Sequence, residues 1–245
     1  MQSTRAADLE SIRHRLKEKG YGIISDWELK DLASKAREEY LDSMAKYETS
    51  PPRQGFHYSD LVHKPHRKLA IGSRNGDGEK YPQLLQTTYF SKDHSKYENL
   101  GKIFSYLISL RNRILGMDEG FGNDPEQDGF WNACRIHHYP AGGGFMFEHR
   151  DTLFPKLLEE SGCPFLQVLV VLSTRGKDFH TGGGFVDDRD GNRIFYENEN
   201  SLGNIVFFDG SIVHGVDDVD GDKVMNFSSQ AGRVAGFVGS YKVLS

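Results

Sequence analysis

From Gly129 to the C-terminus the chain is a succession of short β-prone runs broken by Gly- and Asp-containing turns. The runs cover residues 130–139, 145–148, 165–173, 183–186, 193–196, 204–208, 212–214 and 233–243. Many short strands with frequent turn signals specify an antiparallel sandwich or barrel. Asp188-Arg-Asp-Gly-Asn reads as a hairpin turn in which Asp-Gly supplies the positive-φ residue. This texture predicts a double-sheet jelly roll, α+β in class but mainly β. Side chains from several strands converge at the mouth of such a roll, which is where ligands bind.

The preceding part of the chain reads differently. Residues 6–19 form an amphipathic helix with Leu9, Ile12 and Leu16 on one stripe, and Gly20 ends it in the left-handed conformation. A brief apolar run, 21–25, follows as a strand. Asp26 caps a longer helix reaching about Tyr47, with Leu29, Leu32, Ala36, Tyr40 and Met44 on its stripe. Residues 93–115 form a third helix. Its apolar face (Tyr97, Leu100, Phe104, Leu107, Ile108, Leu110, Ile114) is wide enough to lie flat on a sheet, and Gly116 follows it. The N-terminal helices therefore pack on one sheet of the roll. At 245 residues the chain suits a single domain, with 1–128 as helical cover and lid-like loop and 129–245 as the jelly-roll core.

Residues 49–90 show no sustained period and are rich in Pro, Gly and polar residues. They contain His57, His63, His66, Arg53, Arg67 and Arg74. A segment this long is either a solvated surface excursion or a lid that recognises substrate. Its histidines lack a paired metal spacing.

Composition excludes several function classes. The net charge of −5, without a cluster of Lys and Arg, argues against nucleic acid as partner. No apolar run approaches the length of a membrane helix, and the first residues lack the apolar core of a secretory signal. Two cysteines, Cys134 and Cys163, imply no disulfide framework, so a reducing cytoplasm is the expected location.

The chemistry-bearing stretch is Tyr139-Pro-Ala-Gly-Gly-Gly-Phe-Met-Phe-Glu-His-Arg-Asp-Thr152. His149 and Asp151 are two apart, so on a regular strand both point to one face. His214 lies far downstream, after the tight Asp209-Gly210 turn. Two imidazoles and a carboxylate bind first-row divalent metals and leave positions open for other ligands, as a mononuclear non-haem Fe(II) oxygenase requires.

With these residues in place, the region from Asn132 to Lys242 resembles the Fe(II)/2-oxoglutarate-dependent dioxygenase superfamily. The family pattern is His-x-Asp/Glu, a distal His, and an Arg that pairs with the far carboxylate of 2-oxoglutarate. It falls here on His149, Asp151, His214 and Arg233. The resemblance implies a double-stranded β-helix core, with Fe(II), 2-oxoglutarate and O₂ as cofactor and cosubstrates. Arg233 opens the last strand, and its planar fork suits a carboxylate; the alternative is a strand-end surface ion pair. Tyr139, ten residues before His149, either contacts 2-oxoglutarate as in prolyl hydroxylases or is a core aromatic. Gln167, a polar residue in an apolar strand, needs a partner, either cosubstrate or backbone. On a regular strand Arg135 and His137 share a face with Tyr139, a position from which they reach cosubstrate or substrate. The chain departs from the pattern in two ways. Arg233 stands nineteen positions beyond His214, not about ten, and Ala235 stands where the family often has Ser or Thr.

The activity implied is oxidation of an unactivated C–H with release of succinate and CO₂. Related halogenases carry Gly or Ala at the carboxylate position, so Asp151 points to hydroxylation or another oxidation. A small polar, possibly amino-acid-like metabolite is the expected substrate class. The alternatives are a peptide or prolyl-type hydroxylase, with 49–90 shaping a groove, and a cupin-like metal enzyme that does not use 2-oxoglutarate. The Gly142–Gly144 and Gly182–Gly184 clusters mark close backbone approach or a movable loop. Asp178, His180 and Thr181 are pocket rim or turn residues, and Trp131 and Phe147 are core or pocket wall.

Overall fold

The computed structural model describes residues 6–44, 57–72, 82–151, 153–226 and 228–243. In chain order the elements are α1 (Ala6–Lys19), β1 (Tyr21–Ile24), α2 (Glu28–Met44), β2 (His66–Ile71), β3 (Gln83–Phe90), α3 (Glu98–Leu115), the single turn α4 (Pro125–Asp128), β4 (Phe130–Pro140), β5 (Gly144–His149), α5 (Leu153–Glu159), β6 (Gln167–Val171), β7 (Gly183–Asp187), β8 (Arg193–Phe195), β9 (Ile205–Phe208), β10 (His214–Val219) and β11 (Gly232–Lys242).

Among the described residues the strands form one curled antiparallel sheet in the order β1-β9-β6-β11-β4-β3-β5-β10-β7-β8, with β2 paired to β3. It folds over itself into two layers. One layer is β1, β9, β6, β11 and β4; the other is β5, β10, β7 and β8. β3 joins them by pairing with β4 through Gln86–Phe90 and with β5 through Gln83 and Leu84.

The period-two alternation of the larger layer decides what lies on each side. Val168, Val170, Ile205, Phe207, Val234 and Val238 face outward into a core with α1, α2 and α3. Their strand neighbours Leu169, Val171, Val206, Phe208, Ala235 and Phe237 face inward between the layers. With both faces covered, these strands read as continuous apolar runs. The whole expected stripe of α3 is buried, and Gly116 at φ 71° ends the helix with its N–H on the carbonyls of Asn112 and Arg113. No helix among the described residues is long and apolar enough to cross a membrane.

Residues 57–90 depart from the irregular segment expected there. A short 3₁₀ turn at Tyr58–Val62 is followed by the antiparallel pair β2–β3, and β3 is an interior member of the sheet. The strand was hidden because its helix-facing positions include Gln86 and Thr88, polar side chains buried beneath α2. The jelly-roll sheet therefore draws β2 and β3, besides the expected β1, from residues 1–128, a stretch read as helical cover and lid-like loop. Arg53 and Arg74 lie outside the described residues. β10 begins at His214, whereas the apolar run had placed a strand ending there.

The corner where β4 turns into β5 forms the closed end of the roll. Gly142 (φ 98°) lets the backbone pass Met225, whose main-chain atoms would lie 2.5 Å from an added Cβ. Pro140 pairs with Gly232, and Gly144 pairs with Val219. The two layers rise from this corner to an open mouth.

Candidate metal centre and cavity

His149 ends β5 and His214 starts β10, and the two residues are directly paired across the ladder. Asp151 lies two residues past His149, just beyond the strand end, and still points to the same place. His149 Nε2 is 3.7 Å from Asp151 Oδ1, and His214 Nε2 is 3.5 Å from Oδ2. The imidazole centroids are 4.3 Å apart. One donor atom from each of the three residues lies within 4.8 Å of the others, and this is the one such group among the described residues. His57, His63 and His66 form no comparable group.

Backbone carbonyls set the histidine tautomers. His149 Nδ1 is 2.9 Å from the Phe147 carbonyl, and His214 Nδ1 is 3.1 Å from that of Ile212. An Nδ1–H donated to a carbonyl leaves the Nε2 lone pair facing the shared point, the state a metal ligand requires. Burial lowers the His214 pKa, with Asp151 opposing and the neighbouring His149 adding to the lowering, so the ring favours its neutral form. Gly210 is also needed here. A Cβ on it would meet Asp151 Cβ at 2.7 Å, so the Asp209-Gly210 turn makes room for the carboxylate. A set of two imidazoles and one carboxylate converging from one side fits a first-row divalent ion with several positions left open.

The cluster faces a cavity of about 230 Å³ between the layers. Leu169, Phe208 and Phe237 give it apolar walls, with polar side chains at two levels. At the closed end Tyr139 and Tyr196 are both buried, and burial raises the pKa of each phenol, Tyr139 to about 12. Both stay protonated and able to donate. At the level of the metal cluster, Gln167 bridges two charged groups. Its Nε2 is 3.5 Å from Asp151 Oδ2, and its Oε1 accepts from Arg135 Nη2 at 3.2 Å. Gln167 thus has side-chain partners, where cosubstrate or backbone had been expected. His137 lies between the two levels, and burial together with Arg135 and Arg233 holds its pKa well below the ordinary value.

Arg233 projects into the roll, but it is fully buried and does not line the cavity. Its Nε lies 2.9 and 2.8 Å from the two carboxylate oxygens of Glu197, and its Nη2 donates to Tyr196 Oη at 3.0 Å. Only Nη1 is buried without a partner. The guanidinium expected to receive a ligand's carboxylate already holds one from the chain. Glu197 follows β8, and nothing in its sequence neighbourhood signals the pairing.

The second glycine cluster provides close backbone approach here. Added Cβ atoms would meet Asp218 O at 2.2 Å from Gly182, Glu197 Oε2 at 2.9 Å from Gly183 and Tyr196 Oη at 2.1 Å from Gly184. The neighbouring Asp178, His180 and Thr181 belong to turns. Asp178 pairs with Arg37 at 2.8 Å, and the N–H groups of His180 and Thr181 donate to Asp220. Trp131 packs edge-on against Tyr241, and Phe147 is 37% exposed.

No family model matches the chain, and no curated protein matches it in sequence. Solved structures do match in shape. A prolyl-4-hydroxylase from Pseudomonas putida is 15% identical with a TM-score of 0.58, the match covering 96% of this chain and 99% of that one. An oxidoreductase of the 2OG-Fe(II) oxygenase family from Burkholderia pseudomallei is 12% identical at TM-score 0.54, covering 96% and 92%. EctD from S. alaskensis, solved with 2-oxoglutarate and 5-hydroxyectoine, is 13% identical at TM-score 0.55, covering 99% and 78%. The chain therefore has the jelly-roll fold of the 2-oxoglutarate/Fe(II) oxygenases, with a His149–Asp151–His214 cluster at the mouth of its roll.

Proposed function

We propose that the protein is a non-haem Fe(II)- and 2-oxoglutarate-dependent oxygenase that hydroxylates or otherwise oxidises a C–H bond of a small polar molecule. The observation that carries this reading is the convergence of His149 Nε2, His214 Nε2 and an Asp151 oxygen on one point at the cavity mouth. Bound there, the ion and cosubstrate would supply the oxidising chemistry, and the protein would orient them and limit side reactions. His149 and His214 offer neutral nitrogens, and Asp151 offsets one positive charge of the ion. Gln167 steadies Asp151 from the opposite layer. Tyr139 and Tyr196 provide hydrogen-bond donors for a neutral polar group of a ligand at the closed end, and the apolar walls exclude water. The Asp151 carboxylate favours hydroxylation over halogenation, because it fills the position a halide would need.

The small cavity favours a metabolite over a peptide. Anaerobic titration of the apoprotein with Fe(II) and 2-oxoglutarate is expected to give a visible charge-transfer band. Asp151→Ala is expected to abolish the band and nearly all turnover. A wild-type protein that binds Fe(II) but never develops the band with 2-oxoglutarate overturns the cosubstrate assignment. Succinate release over a panel of metabolites and peptides tests the substrate class, and release only with peptides favours a prolyl-type hydroxylase.

A further inference from the structure

The cavity has two guanidinium groups near it, and they are in opposite electrostatic states. Arg233, at the closed end, is neutralised by Glu197 through two contacts under 3 Å. Arg135 lines the cavity and forms no ion pair with a carboxylate among the described residues. Its Nη1 donates to Tyr241 Oη at 2.5 Å and its Nη2 to Gln167, both neutral partners. Its Nε is buried without a hydrogen bond.

The ladder fixes where Arg135 stands. Pro140 and Gly144 mark the closed corner. Arg135 lies five residues before it on β4, and His149 lies five residues after it on β5. The two layers rise together from that corner, so Arg135 stands across the cavity at the height of the metal cluster. Tyr139 and Arg233 lie beside the corner, paired with each other in register. Gln167 touches both Asp151 and Arg135, which keeps the guanidinium close to the cluster.

Charge then decides between the two arginines. With a divalent ion on the cluster, Asp151 leaves one positive charge. The Arg233–Glu197 pair adds none, and Arg135 adds one. A dicarboxylate is neutralised by that total. Without Arg135 it would carry an uncompensated charge into a low-dielectric cavity, where such a charge is costly. A carboxylate brought to Arg233 instead would share one guanidinium with Glu197, and like charges at that range repel.

We infer that Arg135 is the guanidinium that receives a carboxylate of the cosubstrate in this cavity, in place of Arg233. The inference rests on the 2-oxoglutarate reading above, but it concerns which residue holds the ligand. An Arg fork facing a carboxylate makes charge-assisted hydrogen bonds, and because the partners of Arg135 are neutral its charge is still open to be paired by one.

The test is equilibrium binding of 2-oxoglutarate to the Mn(II)-loaded protein by calorimetry, with Mn(II) affinity measured separately. Arg135→Gln is expected to weaken 2-oxoglutarate binding roughly tenfold or more and to leave Mn(II) affinity and melting temperature close to wild type. Arg135→Lys is expected to recover part of the loss, because it restores the charge without the fork. Wild-type affinity in Arg135→Gln overturns the inference and returns the role to Arg233. Equal losses in both variants, with melting temperature lowered in both, mark a structural role and overturn it too. A wild-type protein that binds Mn(II) but not 2-oxoglutarate refutes the cosubstrate reading itself, an outcome distinct from either.

Discussion

At the scale of single residues, the Arg233–Glu197 pair has the largest energetic consequence. Both side chains are almost fully inaccessible, at 0% and 1%. Removing one partner of such a pair leaves a buried charge uncompensated, which costs about 3–5 kcal/mol. Glu197→Gln is therefore expected to lower unfolding free energy by about that much, read from urea denaturation. Replacing both residues with apolar side chains of similar size is expected to cost less than the single change. A loss under about 1 kcal/mol for Glu197→Gln would mean that solvent reaches the pair. The sequence was informative about Arg233 and silent about Glu197. An Arg at the start of the last strand fits a recognisable pattern, whereas its partner arrives from an unrelated turn through space. The metal cluster was legible because the spacing of His149 and Asp151 carries the chemistry locally. His214 needed the ladder to meet them. For Tyr139 and Gln167 the sequence supplied strand positions, but the hydrogen-bond partner of Gln167 depended on a fold not yet known.

At the scale of elements, α1 is held to α3 by one side chain as well as by apolar packing. Arg13 Nε donates to the Ile114 carbonyl at 3.0 Å and Nη2 to the Arg113 carbonyl at 2.7 Å. The last carbonyls of a helix carry its negative end, and each has a second lone pair to offer, so a cation there is held by charge and by hydrogen bonds. Arg13→Ala is expected to cost about 1–2 kcal/mol of stability and to leave Mn(II) affinity unchanged, since α3 lies outside the roll. A change within a few tenths of a kcal/mol would show that water replaces the guanidinium at no net loss. Element by element, periodicity was a good guide where apolar residues marked the buried face. That holds for α1, α2, α3 and the strands from β4 onward apart from β10. It failed for β3, whose buried Gln86 and Thr88 look like loop residues when their environment is unknown. It also misplaced β10. The apolar Ile212 and Val213 drew the expected strand upstream, but β10 begins at His214, and its ladder with β7 runs on to Asp217.

For the whole molecule, the layer between helices and sheet makes stability depend on pH. His138 faces that layer at 1% exposure, edge-on to the Tyr40 ring at 6.0 Å. Its Nε2 is 3.3 Å from the Ala231 carbonyl, and its Nδ1 is buried without a partner. Burial lowers its pKa from 6.5 to about 4, with Arg37 and Arg67 adding to that and the Ala231 carbonyl opposing. The folded pKa lies below the unfolded one, so between these values the unfolded chain binds a proton that the folded chain refuses. Stability from this group is therefore full above about pH 6.5, falls as pH drops towards about 4, and changes no further below that. The shift corresponds to about 3 kcal/mol in all, of which about 2 is lost between pH 7 and pH 5. His137, held neutral at the cavity, acts in the same direction. Asp188 and Asp220 have lowered pKa values, so their contribution is lost only at lower pH, below the ordinary carboxylate range. The histidine loss is thus the first to appear on acidification. Urea denaturation of wild type at pH 7 and pH 5 is expected to show it, and His138→Gln is expected to reduce the difference between the two pH values by about 2 kcal/mol, whatever its own stability at pH 7. An unchanged difference in the variant would mean that His138 takes up its proton in the folded protein near its ordinary pKa, with the sheet and α2 opening enough to admit water.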